Sequence, residues 1–214
     1  MWERSLTRRP RYAMANPHTD AEDEAQALAL ARSGDLDAFD RLVRLHFPRV
    51  YALLFRMIGN HEDAEDLAQD CFLKAQRSLQ HFRGESSFGT WLFRIAVHRS
   101  RDHFRGRSRG LQPVPLPVEE REPASPRETP VGASVQRELQ AGLRAALERL
   151  PHKHRVALVL RTQEGLDYDD IAAVLECTPQ TARVHVMKAR RRLERWLRPY
   201  TSGDDRRNDG EDAR

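Results

Sequence analysis

The residues of this 214-residue chain that could do chemistry fall into three groups, and in each the chemistry is binding rather than bond-making. Between His61 and Leu73 stand Glu62, Asp63, Glu65, Asp66 and Asp70, with no Lys or Arg among them. Such a carboxylate surface repels a phosphate backbone and suits water or a basic protein partner. The stretch from Phe88 to Arg107 is its opposite. Arg94, Arg99, Arg101, Arg105 and Arg107 oppose Asp102 alone, interleaved with Phe88, Trp91, Phe93 and Phe104. Rings that stack on bases, beside cations that follow phosphate, are what a single strand of DNA requires. Leu92 and Ile95 read as core there, and for Trp91 the core and base-stacking readings are equally open. The third group, Pro179 to Arg198, sets Arg183, Lys188, Arg190, Arg191, Arg192, Arg195 and Arg198 against Glu194. No catalytic residue, metal or cofactor is expected. The nine histidines show no HExxH, Ser86 and Ser87 lack a general-base motif, and Gly84 and Gly89 form no phosphate loop. Cys71 and Cys177 make no CxxC and no Cys/His cluster, which argues against a disulfide scaffold or structural zinc and fits a reducing cytosol.

These groups need helices to carry them. From Ala21 to about Arg107 the apolar spacing is helical, and no alternating run bounded by turns suggests a strand. Helices are expected from about Asp23 to Arg32, Asp37 to Ile58, Glu62 to Leu79 and Phe88 to Arg107. The second has Phe39, Leu42, Val43, Leu45, Val50, Leu53, Leu54 and Met57 as its apolar face, with a kink or break near Phe47 because Pro48 lies inside it. The third places Leu67, Cys71, Phe72 and Ala75 on its apolar side. Between Gly110 and Pro130 six of the chain's twelve prolines exclude interior helix and mark an extended linker. Helical pattern resumes near Ser134 and lasts to Leu197.

The C-terminal half reads as a helix-turn-helix. After a helix from Leu143 to Leu150, Pro151 opens one from His152 to Thr162. Asp167 can cap a short helix, Tyr168 to Leu175. Glu176-Cys177-Thr178 is a tight turn, and Thr178-Pro179 is a strong helix start. A short helix, a three-residue turn and a longer basic helix match a motif whose second helix enters the major groove. Gln180, Thr181, Arg183 and His185 are placed for base edges, while Val184, Met187 and Leu193 are expected in the core.

The fold class is therefore all-α: two small helical domains joined by a Pro-rich flexible linker. The expected layout is a disordered basic arm (1–22), a helical domain (23–108), the linker (109–133), a helix-turn-helix domain (134–198) and a disordered tail (199–214). Only Lys74, Lys153 and Lys188 of the 36 Lys+Arg are lysine, and the formal net charge is +4. The chain is thus rich in planar, permanently charged donors for phosphates and base edges. No run of about 18 apolar residues could span a membrane, and the N-terminus has no apolar core of a secretory signal. A cytoplasmic protein without membrane insertion is expected.

The stretch Asp63-Ala-Glu-Asp-Leu-Ala-Gln-Asp-Cys-Phe-Leu-Lys74 resembles region 2.2 of the bacterial sigma-70 superfamily, and Arg83-Gly-Glu-Ser-Ser-Phe-Gly-Thr-Trp-Leu-Phe-Arg-Ile-Ala96 resembles regions 2.3 and 2.4. Leu150-Pro151, Leu158 to Arg161, Glu164 to Ala172 and Cys177 to Arg190 look like region 4. Two such regions joined by a short linker resemble the extracytoplasmic-function (ECF) group of sigma factors. The resemblance implies a factor that binds core RNA polymerase and directs promoter recognition and melting at transcription initiation. It implies that Asp63, Glu65, Asp66, Gln69 and Asp70 dock on the β′ clamp helices. Arg83, Gly84, Glu85, Ser86, Ser87 and Phe88 match the loop that captures a base flipped from the −10 element. Trp91, Arg94, His98, Arg99 and Arg101 match positions near the melted junction. Arg161, Tyr168, Asp169, Arg183, His185, Lys188 and Arg190 match positions facing −35 DNA, beside Gln180 and Thr181. Further implied partners are the β flap, promoter DNA and an anti-sigma factor, with nucleoid association in the holoenzyme. His98 stands where asparagine is common, Val184 where a small polar residue is, and His185 where arginine is, so the promoter sequence cannot be read by analogy.

The runner-up is a helix-turn-helix transcription regulator that does not replace sigma. It explains the C-terminal half equally well but leaves the acidic run and the Arg83–Ala96 motif without a role. An RNA-binding or nucleoid structural protein explains only the basic charge, and a hydrolase is the weakest reading.

Overall fold

A computed structural model describes residues 17–110 and 141–201. Most of the arm, linker and tail expected from sequence lie outside the described residues; where they are described the expectation of disorder fails, since residues 17–22 open the first helix and residues 199–201 close the last. Within them the elements are α1 (Pro17–Arg32), α2 (Leu36–Ile58), α3 (His61–Ser78), a 3-10 turn (Leu79–His81), α4 (Phe88–Gly110), α5 (residues 141–148), α6 (His152–Thr162), α7 (Tyr168–Leu175) and α8 (Pro179–Thr201). No strand occurs among the described residues.

Local chemistry sets the boundaries. Asp35 caps α2 by accepting from the Ala38 N–H, and Asn60 caps α3 by accepting from the Glu62 N–H. Gly59 ends α2 at φ 80°, a left-handed value that favours glycine, and its N–H donates to the Phe55 carbonyl. A Cβ there would also stand 3.3 Å from Glu148 Oε1 on α5. Of the kink or break expected near Phe47, the break does not occur: α2 continues through Pro48. Proline removes one ladder bond, to the carbonyl of exposed Arg44. The buried run Leu42, Val50, Leu53, Leu54 and Met57 holds both flanks against one core. Leu45, expected on that core face, is 46% exposed.

The N-terminal helices share a core of Leu42, Leu53, Leu54, Cys71, Phe72, Leu92 and Phe93, and the C-terminal ones a core of Val156, Leu158, Leu160, Ile171, Ala182 and Leu193. Cys71 is fully buried, and burial pushes its thiol up to about 12, so it acts as a small apolar residue. The two groups pack directly on each other. Arg155 of α6 is 7% exposed and donates to the Met57 carbonyl at 2.6 Å, the Glu148 carbonyl at 2.6 Å and the Leu150 carbonyl at 3.4 Å. Its cation thus sits on the electronegative C-terminal ends of α2 and α5. Around it Arg49 reaches Glu164 at 2.8 Å, Arg56 reaches Gln163 at 3.2 Å, and Ser100 meets His152 Nε2 at 3.0 Å. Arg155→Met is expected to cost about 2–4 kcal/mol, because buried carbonyls lose a charged donor. Denaturant unfolding followed by circular dichroism checks this; a loss below about 0.5 kcal/mol contradicts it.

Candidate nucleic-acid interface

Each of the three charged groups sits on one helix or on the loop before it. On α3, Glu65, Asp66, Gln69 and Asp70 are exposed and Asp63 is half-buried, while Ala64, Ala68, Cys71 and Ala75 face the core. Four acidic side chains and Gln69 therefore form one outward stripe. Its inner edge meets α4: His103 Nε2 lies 3.7 Å from Asp63, and Arg99 lies 4.0 Å from Asp70. Both approaches are long and partly solvated, so each contributes little.

The loop before α4 and the start of that helix form a second feature. Gly84 has φ 75°, which lets the chain turn sharply there. Ser87 caps α4: its Oγ accepts from the Thr90 N–H at 3.0 Å and shares a 2.8 Å hydrogen bond with the Thr90 hydroxyl. Phe82, Phe88 and Trp91 pack edge-on and tilted into one aromatic cluster, with Trp91 at 5.2 Å from Phe82 and 5.7 Å from Phe88, ring centre to ring centre. Trp91 is 9% exposed and Phe88 3%, so neither is a free platform; Phe82 and Trp91 floor the site, with Phe88 packed behind them. Above them His81, Phe82, Arg83, Gly84, Glu85, Ser86, Trp91 and Arg94 line an open cavity of about 240 Å³. Arg83, Glu85 and Arg94 at its rim are exposed.

Further along α4 the basic side chains are less free than their spacing suggests. His98 Nδ1 accepts from Arg101 Nη2 at 2.9 Å, and His98 Nε2 lies 3.0 Å from Glu176 in the helix-turn-helix turn. Thr90 donates to Asp170 of α7 at 3.2 Å. The fold thus brings part of the residue set matched to −10 DNA against α7 and its turn. Sequence reasoning missed Thr90, Asp170 and Glu176 in this role, because they are far apart in sequence and share no periodic signal.

The helix-turn-helix matches its sequence reading closely. Asp167 caps α7 through the Asp170 N–H at 2.8 Å, and Thr178 caps α8 through the Thr181 N–H at 3.2 Å. Glu176 closes α7 in a left-handed conformation, φ 52°. The Tyr168 ring lies 4.9 Å from the guanidinium carbons of both Arg161 and Arg183, which fixes these cations at the mouth of the motif. Arg161 also donates to the Leu166 carbonyl at 2.7 Å. Asp169, Gln180, Arg183, Lys188 and Arg190 are exposed; Thr181 and His185 are half-buried. The expected core positions need correcting. Leu193 is buried, but Val184 is only half-buried and Met187 is 41% exposed, one turn beyond Arg183. Ala182, Val186 and Ala189 take the inner face instead. The helix is rotated by about one residue from the reading that put Val184 inside.

Among the described residues no group of three or more His, Cys, Asp or Glu could hold a metal, and no helix is long and apolar enough to cross a membrane.

Comparison with known proteins agrees with this geometry. Residues 42–110 match the family Sigma-70 region 2, and residues 140–193 match Sigma-70, region 4. The chain is 34% identical over 184 residues to the RNA polymerase sigma-H factor of Pseudomonas aeruginosa, covering 83% of this chain and 95% of that one. It is 33% identical over 174 residues to the ECF RNA polymerase sigma-E factor of Haemophilus influenzae, covering 78% and 92%. Among solved structures, the sigma factor RpoE of Bartonella quintana, in complex with the anti-sigma factor NepR, superimposes with a TM-score of 0.61 at 26% identity. That match covers 76% of this chain and 98% of that one. CnrH in complex with the cytosolic domain of CnrY gives the same TM-score and identity over 83% of this chain and 98% of that one. A Sigma-70 region 2 followed by a Sigma-70 region 4, together with this similarity over nearly the whole length of named relatives, places the chain in the sigma-70 superfamily as an ECF sigma factor.

Proposed function

We propose that this sigma factor docks on core RNA polymerase through the acidic stripe of α3, reads −35 DNA with α8 and holds the melted −10 region with the 83–88 loop and α4. The observation that carries the reading is the separation of charge by element. Between Glu62 and Asp70 the first half of α3 presents carboxylates and no cation, while Arg94 and Arg105 of α4 and Arg183, Lys188, Arg190, Arg191, Arg195 and Arg198 of α8 are exposed. A nucleic-acid surface and a basic-protein surface are thereby kept apart. The chain is an initiation factor rather than an enzyme, so its work is differential binding. Unstacking and unpairing a base costs a few kcal/mol, and a base held on a ring or in a polar pocket returns about 1–3 kcal/mol. Flipping is close to balance, and phosphate contacts together with polymerase binding tip it. The cavity above Phe82 and Trp91, rimmed by Arg83, Glu85 and Arg94, supports capture of a single base. The β′ clamp helices and β flap are the expected polymerase surfaces, the cytoplasm the expected compartment with nucleoid association in the holoenzyme, and an anti-sigma factor the expected regulator. Domain limits near 23–108 and 134–198 remain the proposed division, with the described helices extending over 17–110 and 141–201. Adding the purified protein to sigma-free core polymerase is expected to yield specific run-off transcripts; a regulator that does not replace sigma would yield none.

Arg183 is the base reader within α8. Its guanidinium is exposed and steadied by the Tyr168 ring at 4.9 Å. Arg183→Ala is expected to cost about 1–3 kcal/mol at one −35 base pair and to relax the preference there, as for a bidentate contact to guanine. Arg191→Ala is expected to weaken binding without changing the preferred sequence. Selection from a randomised −35 library checks both; an unchanged preference for Arg183→Ala removes Arg183 from the reading set.

A further inference from the structure

We infer that His154 of α6 joins His185 of α8 as one proton-accepting unit of the −35 interface, and that the pair takes up a proton when duplex DNA docks. The inference rests on the reading of α8 as the DNA-facing helix. His185 is expected to face DNA from its place in the sequence, and no role is expected for His154. The structure places their rings 5.0 Å apart, tilted by 44°. Both side chains are half-buried, and the Nδ1 atom of each is buried without a hydrogen-bond partner. A proton on either Nδ1 would therefore be a buried donor with no acceptor in the free chain.

The surrounding charge points the same way. After burial, His185 itself, Arg192 and Lys188 act on His154, and Lys153 and Lys188 act on His185. Burial and these cations hold both imidazoles below the ordinary histidine range. Lys188 is exposed and Arg192 half-buried, on the stripe of α8 that continues from His185. A duplex laid along that stripe brings phosphates into the same cluster. Negative charge at close range reverses the local field and favours the imidazolium. Protons and DNA then strengthen each other's binding by the same factor.

The sign follows from linkage. The free pair titrates below about 6.5 and the DNA-bound pair above the free one. Affinity therefore rises as pH falls through the bound-state value, and levels off once the free pair is itself protonated. Neighbouring groups keep their charge across pH 6 to 8. Burial, with Arg155, Arg101 and Lys153, holds His152 at about 4, so it stays neutral. Burial raises the Cys177 thiol, which stays protonated. A guanidinium grips phosphate without regard to pH in the neutral range, so the pH-graded increment is assigned to the histidine pair.

The test uses the full chain with a duplex carrying its selected −35 sequence, at constant salt. Calorimetry of the wild type in buffers of different ionisation enthalpy is expected to show net proton uptake near pH 7, and anisotropy about three- to tenfold tighter binding at pH 6 than at pH 8. His154→Gln is expected to lower the uptake with the base preference unchanged, and His154→Gln with His185→Gln to flatten the pH profile. No net uptake by the wild type overturns the inference, a result that needs no variant to fold. Undiminished uptake in the double variant overturns it as well. If the wild type binds no −35 duplex at any pH, the reading of α8 itself falls; if it binds with a flat profile, only the histidine pair does.

Discussion

Asp66→Arg combined with Asp70→Arg is expected to weaken binding to core RNA polymerase at least about a hundredfold while leaving the fold intact. Both side chains stand on the exposed stripe of α3, opposite the Ala64, Ala68, Cys71 and Ala75 face that fills the core. Their replacement creates no cavity and buries no charge. Asp70 gives up a 4.0 Å approach to Arg99, with side chains 54% and 36% exposed, a pair of negligible worth in water. At a basic partner surface the effect is of another size, because like charges set against each other cost several kcal/mol, and about 2.7 kcal/mol is already a hundredfold. Titration of core polymerase with labelled protein measures the change, and circular dichroism checks that helicity is retained. Affinity equal to that of the wild type would mean that α3 does not face polymerase.

Local signals carried most of the fold. Thr178-Pro179, Asp167 and Gly59 each announce a helix boundary through side-chain or backbone chemistry within four residues, and each boundary lies where that chemistry puts it. Pro48 left a kink and a break both open, because proline's local cost says nothing of the long buried face that keeps α2 continuous through it. Leu45 and Met187 misled for the opposite reason: hydrophobicity gives an average tendency to be buried, not the rotation of a given helix. Trp91 was undecidable from spacing, since a ring on the core side of α4 and a ring under a bound base occupy the same register. The contacts between the two halves were invisible. Arg155 with Met57, Arg49 with Glu164, Thr90 with Asp170 and His98 with Glu176 join residues some 80 to 115 apart, and no periodicity or cap motif connects them. The candidate site was therefore legible as helices with the right charge, and illegible wherever one half leans on the other.

That leaning leads to the second large effect. The −35 and −10 elements are separated by about 25 base pairs, or about 85 Å of duplex at 3.4 Å per step. A compact chain of this length has a radius of gyration of about 17 Å and so a diameter of roughly 45 Å. With α6 and α7 packed on α2 and α4, α8 and the 83–88 loop cannot occupy both elements at once. Promoter binding is therefore expected to break the contacts of Arg155 with Met57, Thr90 with Asp170 and His98 with Glu176, and to move the halves apart by tens of ångströms. The contacts of Thr90 with Asp170 and His98 with Glu176 are partly or fully exposed, so water and DNA can replace them at modest cost, whereas the buried Arg155 contact is the costly one that polymerase and DNA binding must offset. Dyes attached at Ala29→Cys of α1 and Ala145→Cys of α5, both exposed and on helices that carry no proposed binding residue, report the separation once Cys177 is replaced by Ser. Energy transfer is expected to be high in the free chain and to collapse in the complex of polymerase, sigma factor and promoter. Transfer retained in a promoter complex that is active in run-off transcription would show that the two halves engage DNA without parting, and would contradict the assignment of α8 and the 83–88 loop to separate promoter elements.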